Sequence, residues 1–327
     1  MSFFSAVADL LKPASQPDPD VLKALEMVAE LVGPTLKAAA DFEKHLSHPV
    51  EHALGYCQGL VSALPGPIDI NRQAFANDPL VHALFATADD IDQMLGRSQA
   101  IRDFLAEPSS WESDHFYAMF AARRQEKKQL GMSQRGDVIQ NDVPQLILYF
   151  SGQTLIEPSC DLEATRLGLR GKALQSLLHT FHSHVEALRQ ERDGLRADAS
   201  IERANLSTAH GTLDEQALHT RHLAELDARL RQTAESLMPE QLVEALADFL
   251  RAPESALHLS PVSITVDRLG IVSDEPPDDL NRHTLNFPEL TARDRRLHLA
   301  MLARIRRDEA LEAVEMVRDQ QHRFMLI

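Results

Sequence analysis

The clearest hydrophobic pattern lies in the middle of the chain. From residue 174 to residue 199, apolar side chains recur at alternating spacings of four and three residues, interrupted by Arg192. A second series, with Thr233 as its polar member, runs from Leu223 to Leu237. This spacing is typical of a coiled-coil seam. Because the turn-prone stretch LSTAHGT separates the two series, we predict a long antiparallel coiled-coil hairpin, followed by a short helix, over residues 160–252.

Beyond residue 256 the pattern changes from a helical period to alternation. Apolar and polar residues alternate from Val262 to Val266, and Leu297 to Ile305 holds a period of two over nine residues. Alternation is typical of half-buried strands, although a helix remains an alternative for the second segment. The last amphipathic stretch, DEALEAVEMVRDQQ, has helical spacing. We therefore predict a C-terminal antiparallel sheet covered by a helix over residues 256–327.

Residues 1–152 have the pattern of a helical domain. Leu22, Leu25, Val28 and Val32 recur at helical spacing, and a glycine and a proline end that segment. Similar amphipathic segments of ordinary length follow, separated by further prolines and glycines. The overall prediction is a fold that is mostly α with a small α+β C-terminal module.

Two later segments decide whether the N-terminal region is predicted to be entirely helical. A long helix is predicted to begin at Ser110 and to run into the basic stretch ARRQEKK. The segment NDVPQLILYF is ambiguous, since its β-rich composition suggests a strand. Asp142 as a cap, Pro144 in the first turn and apolar residues at helical spacing favour a helix, which is the interpretation adopted.

Composition and charge narrow the function classes. The 327 residues are 44% hydrophobic and 25% charged, as in an ordinary globular protein of more than one part. The net charge of −16 argues against nucleic acid as a partner. No apolar run approaches the ~20 residues needed to cross a bilayer, and Cys57 and Cys160 match no metal or redox spacing. We expect a cytoplasmic protein that does not associate with membranes.

Fifteen histidines invite a metal hypothesis, and the densest cluster is HTFHSHVE. On a helix, His182 and His184 flank opposite sides of the predicted seam and His179 points away, so three ligands do not converge. The chain also lacks a P-loop, a G-x-G-x-x-G, a G-x-S-x-G and an H-E-x-x-H motif. We therefore predict no bound metal and no cofactor, and no catalytic residue is indicated.

An interaction or scaffold protein is the leading functional hypothesis. A long two-helix arm has too little apolar cover to be stable alone, so the hairpin is expected to bind a protein partner or a second copy. The arginines around residue 300 form the one local basic concentration and suit an acidic partner. The candidate interface residues are Leu188, Arg192, Leu195, His219, Leu223, Leu226, Arg295, Arg296, Arg304 and Arg306.

The alternative is an enzyme or a small-ligand receptor. Its pocket would lie in the N-terminal helical domain, near the aromatic cluster of Trp111, His115, Phe116 and Tyr117. Such a cluster is equally compatible with an ordinary core. Several convergent polar groups around a cavity would favour the receptor, and a filled apolar core would exclude it.

Overall fold

The computed structural model describes residues 18–135, 138–208, 213–273, 282–292 and 297–325. The chain forms two compact units, and neither is one continuous stretch. The first, here called the helical unit, takes the residues up to Tyr56 together with Leu174–Pro253. The second, the sheet unit, takes Cys57–Ala173 together with the residues from Glu254 onward.

Helices make up most of the ordered elements. The α-helices of the described residues are α1 (Pro19–Leu31), α2 (Phe42–Ser62), α3 (Arg72–Asn77), α4 (Pro79–Leu84), α5 (Ala88–Arg97), α6 (Gln99–Ala106), α7 (Leu162–Thr208), α8 (Leu213–Ser236), α9 (Pro239–Arg251) and α10 (Arg307–Met325). The strands are β1 (Ile68–Asp69), β2 (His115–Arg135), β3 (Val138–Ser159), β4 (Leu257–Asp267), β5 (Arg282–Ala292) and β6 (Leu297–Arg306). Short 3-10 helices lie at Pro34–Ala38, Pro108–Ser110 and Pro253–Ser255.

The helical unit is built as its hydrophobic pattern predicts. Helix α1 begins where the Asp18 side chain accepts a hydrogen bond from the backbone N–H of Asp20, which satisfies one of the donors that a helix start leaves free. The first four seam residues of α7, Leu174, Leu178, Phe181 and Val185, are buried, and Phe181 packs against Phe249 of α9 with ring centroids 5.6 Å apart. The helical spacing of the sequence therefore marks the buried face.

The sheet unit holds one sheet with the strand order β3-β2-β6-β5-β4. These five strands pair antiparallel, and the two-residue β1 pairs parallel with β6. The sheet also curls back on itself. After β4, the carbonyl of Gly270 accepts a hydrogen bond from the N–H of Leu148 in β3, and the N–H of Val272 donates to the carbonyl of Leu146, both at 2.8 Å. Gly270 has φ +78°, and a Cβ there would lie 2.7 Å from the Leu148 oxygen, so only glycine fits.

Both faces of the centre of this sheet are covered. On one face Phe116, Phe120 and Ile305 are almost fully buried, in a core that also takes apolar residues from α4, α5, α6 and α10. On the other face Ala300 and Leu302 pack in a cluster that also contains side chains from the end of α2 and the start of α7. The predicted strands at 262–266 and 297–305 and the C-terminal helix are confirmed.

The predicted helices at the end of the N-terminal region are wrong. The segments read as helices from Ser110 and at NDVPQLILYF instead form β2 and β3, which pair over most of their 21 and 22 residues. The physical reason is that Phe116 and Phe120 are four residues apart, a spacing that fits one face of a helix and one face of a strand equally. The region up to residue 152 is thus helical only as far as α6, and the sheet is larger than the predicted C-terminal module.

Candidate functional site

The first candidate site is the hairpin formed by α7 and α8. Arg229 of α8 lies 3.0 Å from Glu191 of α7, and His219 of α8 lies 2.7 Å from Glu202 of α7. Residue numbers therefore rise along α7 as they fall along α8, so the two helices run antiparallel. We call the part of α7 from 191 and of α8 up to 230 the distal hairpin.

Part of the predicted interface forms the buried seam of the distal hairpin. Leu195 and Leu226 are buried in one apolar cluster with Ala199, and Leu223 packs against it. Two other predicted residues are not in that cluster: Leu188 is partly buried, and Arg192 pairs with its neighbour Asp193 at 2.9 Å. Leucines buried against the partner helix hold the arm together and are not free to bind another molecule.

His219 belongs to a polar cluster that sequence reasoning missed. Glu202 is only 7% exposed, and its Oε1 lies 2.7 Å from Nδ1 of His219 and 3.4 Å from Nδ1 of His222. The hydrogen bond with His219 lowers the pKa of Glu202, against the opposing effect of burial. His219 and Glu202 are 17 positions apart in the sequence, so this contact depends on the pairing of α7 with α8.

The histidine side chains of the segment HTFHSHVE in α7 do not come together as metal ligands. Nδ1 of His182 lies 3.4 Å from the carbonyl oxygen of Val32, and the ring of His184 packs 6.2 Å from that of Phe181. Within the described ranges, no group of three or more histidine, cysteine, aspartate or glutamate side chains is placed to hold a metal ion.

The second candidate site lies at the end of β6 and contains two of the four predicted arginines. Arg304 and Arg306 share one face of β6 and pair across the sheet with Tyr117 and His115 of β2. Nε and Nη2 of Arg304 donate to the two carboxylate oxygens of Asp69 in β1, at 2.7 and 2.9 Å. The other two predicted arginines, Arg295 and Arg296, lie outside the described residues.

These ion pairs set the charge of the site. The hydrogen bond from Arg304 is the main cause that lowers the pKa of Asp69, so this carboxylate stays ionised well into the acid range. Arg306 is paired in the same way with Asp308, whose pKa it lowers. Two of the arginines at this end of the sheet are therefore already neutralised by carboxylates of the same unit.

A polar cavity of about 660 Å³ opens here, and we call it the polar pocket. It lies wholly within the sheet unit. Its lining includes Asp69, Trp111, His115, Arg304, Arg306 and Arg307. The volume falls in the range of small-molecule sites, and charged groups converge on it from β1, β2, β6 and α10.

Arg307 differs from the other arginines of the polar pocket. It is the first residue of α10, and its backbone N–H donates to the carbonyl of Asp114 at 3.0 Å. Its side-chain Nε is shielded from solvent, yet it has no hydrogen-bond acceptor among the described residues. A buried donor without an acceptor costs free energy.

The predicted aromatic cluster is divided between the core and the polar pocket. Phe116 is 1% exposed and packs against Phe104, with ring centroids 5.0 Å apart. Trp111 lines the polar pocket and is 62% exposed. His115 also lines it, edge-on to Tyr117 with Nε2 3.2 Å from the tyrosine oxygen. The sequence placed these four residues on one helix, whereas Trp111 follows the 3-10 helix Pro108–Ser110 and the other three residues begin β2.

Comparison with known proteins gives no match, either to a protein-family model, to a curated protein or to a solved structure. Among the described residues, no helix combines the length and the apolar character needed to span a membrane.

Proposed function

We propose that this protein is an interaction or scaffold protein that associates with a second copy of itself through the distal hairpin. The observation that carries the proposal is a pair of large aliphatic side chains exposed on the two helices of that arm. Ile201 of α7 is 60% exposed and Leu218 of α8 is 67% exposed. Exposed side chains of this size on a long arm are typical of a surface that is buried by association.

Helical geometry puts these two side chains on the same face of the arm. Glu202 and His219 meet at the seam, and Ile201 and Leu218 each precede one of them by a single residue. Viewed from one end, two antiparallel helices turn in opposite senses. A step of one residue back from the seam therefore swings both side chains to the same side. Ile201 and Leu218 thus form one apolar patch near the tip of the hairpin.

The thin internal cover of the distal hairpin supports the same proposal. Its apolar cluster contains three buried side chains, Leu195, Ala199 and Leu226, with Leu223 and Leu230 partly buried beside them. Two helices with so small a shared core gain stability when a further surface covers them. We extend the proposal to a coiled-coil seam, because these residues follow the heptad series of the sequence.

The charges of the arm favour a second copy as the occupant. Arg203 pairs with Asp227 at 2.6 Å and Arg229 pairs with Glu191 at 3.0 Å, so charges of both signs are matched within one hairpin. When the charges on a surface are already paired within one hairpin, two copies of that surface approach each other with little electrostatic repulsion. Association in the cytoplasm is part of the proposal, and it is supported by Cys57 and Cys160, which are both free thiols.

Light scattering of the purified full-length chain over the micromolar range tests this function. We expect a dimer, and we expect the double variant Ile201→Ser/Leu218→Ser to raise the dissociation constant by about tenfold or more, since two large apolar side chains lose their burial. Leu269→Ser removes a leucine that is 77% exposed and lies in the sheet unit. It is the matched control and should leave the constant unchanged.

Two results would contradict the proposal. One is a wild-type protein that stays monomeric over this concentration range. The other is a double variant that dimerises as tightly as the wild type while its circular dichroism shows an intact helical content. A hairpin that binds only a different protein would appear as the first of these results.

A further inference from the structure

The β2–β3 hairpin carries a binding surface that is separate from the distal hairpin. Strand β2 pairs with β3 from Tyr117 to Arg135, whereas its pairing with β6 stops at Arg123, opposite His298. In the described part of the chain, no strand lies against the outer edge of β2 over residues 127–132, which we call the free edge. We propose that the free edge binds an extended acidic peptide of a partner protein, which adds to the sheet as a further strand.

The backbone of the free edge supplies the main contacts for such a peptide. In a strand, alternate residues direct their N–H and C=O groups to opposite edges, so the residues that do not bond to β3 present donors and acceptors at the free edge. All residues of the free edge except Gly131 are exposed. Extended peptides add to exposed sheet edges through backbone hydrogen bonds, and the neighbouring side chains determine which peptide binds.

The side chains of the free edge favour an acidic partner. Lys127 and Lys128 are exposed, and neither forms an ion pair with another described residue. The acidic residue before them, Glu126, is already paired with Arg124 at 3.1 Å. The facing segment of β3, residues 143–149, contains no charged residue. Two positive charges therefore lack a partner here, in a chain whose net charge is −16, and carboxylates on an added strand would pair with them.

The same two lysines disfavour a second copy of the chain as the occupant. Two free edges paired with each other would bring together two lysines from each copy and no carboxylate, whatever their register. Like charges on neighbouring strands are destabilising, and lysines on edge strands are a common means of preventing edge-to-edge pairing. An acidic strand turns this repulsion into attraction, so charge complementarity separates a foreign acidic peptide from self-pairing.

Leu130 adds an apolar contact beside the charged one. Lys128 and Leu130 are two residues apart, so they lie on the same face of β2, opposite Leu146 and Pro144 of β3. Leu130 is 68% exposed, and Met132 is 71% exposed near the end of the free edge. We therefore expect the peptide to carry acidic residues at one end, beside the lysines, and apolar residues at the other.

Fluorescence anisotropy of labelled synthetic peptides with the full-length protein tests the proposal. One probe is a hexapeptide of two glutamates followed by alternating threonine and valine, and the other has the reversed sequence, so that parallel and antiparallel addition are both covered. We expect the better of the two to bind at least about tenfold more tightly than its counterpart with lysines in place of the glutamates. Full N-methylation of the backbone keeps the side chains but removes the donors, and it should weaken binding by about tenfold or more.

Three results with these peptides would overturn the proposal. The first is no saturable binding of either acidic peptide. The second is a lysine peptide that binds as tightly as the acidic one, because the lysines would then not determine the partner. The third is a fully N-methylated peptide with unchanged affinity, because binding would then depend on charge without strand addition.

A charge reversal locates the contact on the free edge. Lys127→Glu/Lys128→Glu should weaken binding of the acidic peptide by about tenfold or more and should make the lysine peptide the better ligand. Lys23→Glu/Lys44→Glu makes the same change of net charge at exposed positions of the helical unit, and it should bind the peptides like the wild type. Unchanged preference in the first variant, or the same reversal in the second, would contradict the assignment.

Amide hydrogen exchange of the wild-type protein gives a measurement that does not depend on a variant folding. A saturating concentration of the acidic peptide should slow exchange at alternate residues of the free edge, because their N–H groups gain acceptors. Exchange that stays unchanged there would count against strand addition. A free edge that is already protected without peptide, and loses this protection on dilution, would identify a second copy as the occupant and overturn the proposal.

This inference is independent of the proposed self-association. The double variant Ile201→Ser/Leu218→Ser changes the distal hairpin and should bind the acidic peptide as tightly as the wild type. A monomeric protein that binds the peptide would refute the proposed function and keep this inference, whereas a dimer that binds neither acidic peptide would do the reverse.

Discussion

The molecule contains two long hairpins of opposite construction. Side-chain packing holds the distal hairpin together. Each helix forms its backbone hydrogen bonds internally, so the two helices contact each other through side chains such as Leu195, Ala199 and Leu226. The β2–β3 hairpin is held by its backbone, with paired residues from Tyr117 and Ser159 out to Arg135 and Val138.

A buried leucine of the distal hairpin and an exposed leucine of β2 contribute differently to their hairpins. Leu195 is 5% exposed in the distal hairpin, whereas Leu130 and Met132 of β2 are 68% and 71% exposed. In a two-stranded ladder the side chains point to either face and the hydrogen bonds lie between the strands, so a leucine can stand in water without breaking a contact. Shortening the buried Leu195 should therefore cost more stability than shortening the exposed Leu130.

The largest expected effect comes from shortening one leucine in each hairpin. Leu195→Ala should cost the distal hairpin roughly 2–4 kcal/mol, because it removes buried methyl groups from a small cluster. Leu130→Ala, the matched change in β2, should stay within about 0.5 kcal/mol. Amide hydrogen exchange across 191–230 and across β2–β3 measures each arm by itself. Equal losses of protection in the two hairpins would show that the proposed distinction is incorrect.

The same difference explains what sequence reasoning could and could not reach. The helical hairpin was predictable because its buried residues repeat every three or four positions along each helix. The burial of a leucine such as Leu226 can therefore be predicted from the residues within two helical turns of it. The pairing of β2 with β3 joins residues that are far apart in sequence, such as Phe120 with Leu155, and local periodicity carries no information on that partner. The alternation of β6 was recognised because every second residue from Leu297 to Ile305 is apolar.

Sequence analysis singled out some residues of the polar pocket but could not show that they lie together, again because their contacts join distant parts of the chain. Arg304 and Arg306 stood out as a basic concentration, and Trp111 and His115 as an aromatic cluster, but nothing in the sequence joined the two groups. Their meeting depends on the pairing of β2 with β6. Asp69 lies 235 positions from Arg304 along the chain, and its role as the ion-pair partner has no local signal at all.

A smaller effect is expected from the charge that lies inside the helical hairpin. The folded state lowers the pKa of Glu202, mainly through the hydrogen bond with His219. Its carboxylate therefore stabilises the folded arm above the usual glutamate range, and this contribution is lost as the pH falls through the lowered pKa of the folded state. Glu202→Gln should reduce exchange protection of the distal hairpin at neutral pH, by less than Leu195→Ala does.

The pH dependence separates this charge effect from a general loss of packing. The difference between Glu202→Gln and the wild type should shrink in acid, where the wild-type carboxyl group is also neutral. Glu225→Gln, an exposed position on α8, should follow the wild type at every pH. A difference that persists unchanged at a pH acid enough to protonate Glu202 would mean that the shape of the side chain, not its charge, is responsible.

The smallest expected effect tests whether side chains contribute to the β hairpin at all. The hydroxyl of Tyr149 in β3 donates to Oε1 of Gln125 in β2, and Nε2 of Gln125 donates to the hydroxyl of Ser151 at 2.8 Å. Tyr149 is 40% exposed, so water competes for this bond and Tyr149→Phe should cost only about 0.5 kcal/mol. A double-mutant cycle with Gln125→Ala isolates the pair by hydrogen exchange of β2 and β3. A coupling free energy above about 2 kcal/mol would be incompatible with a hairpin held by its backbone, because one exposed side-chain pair would then rival the buried seam of the helical arm.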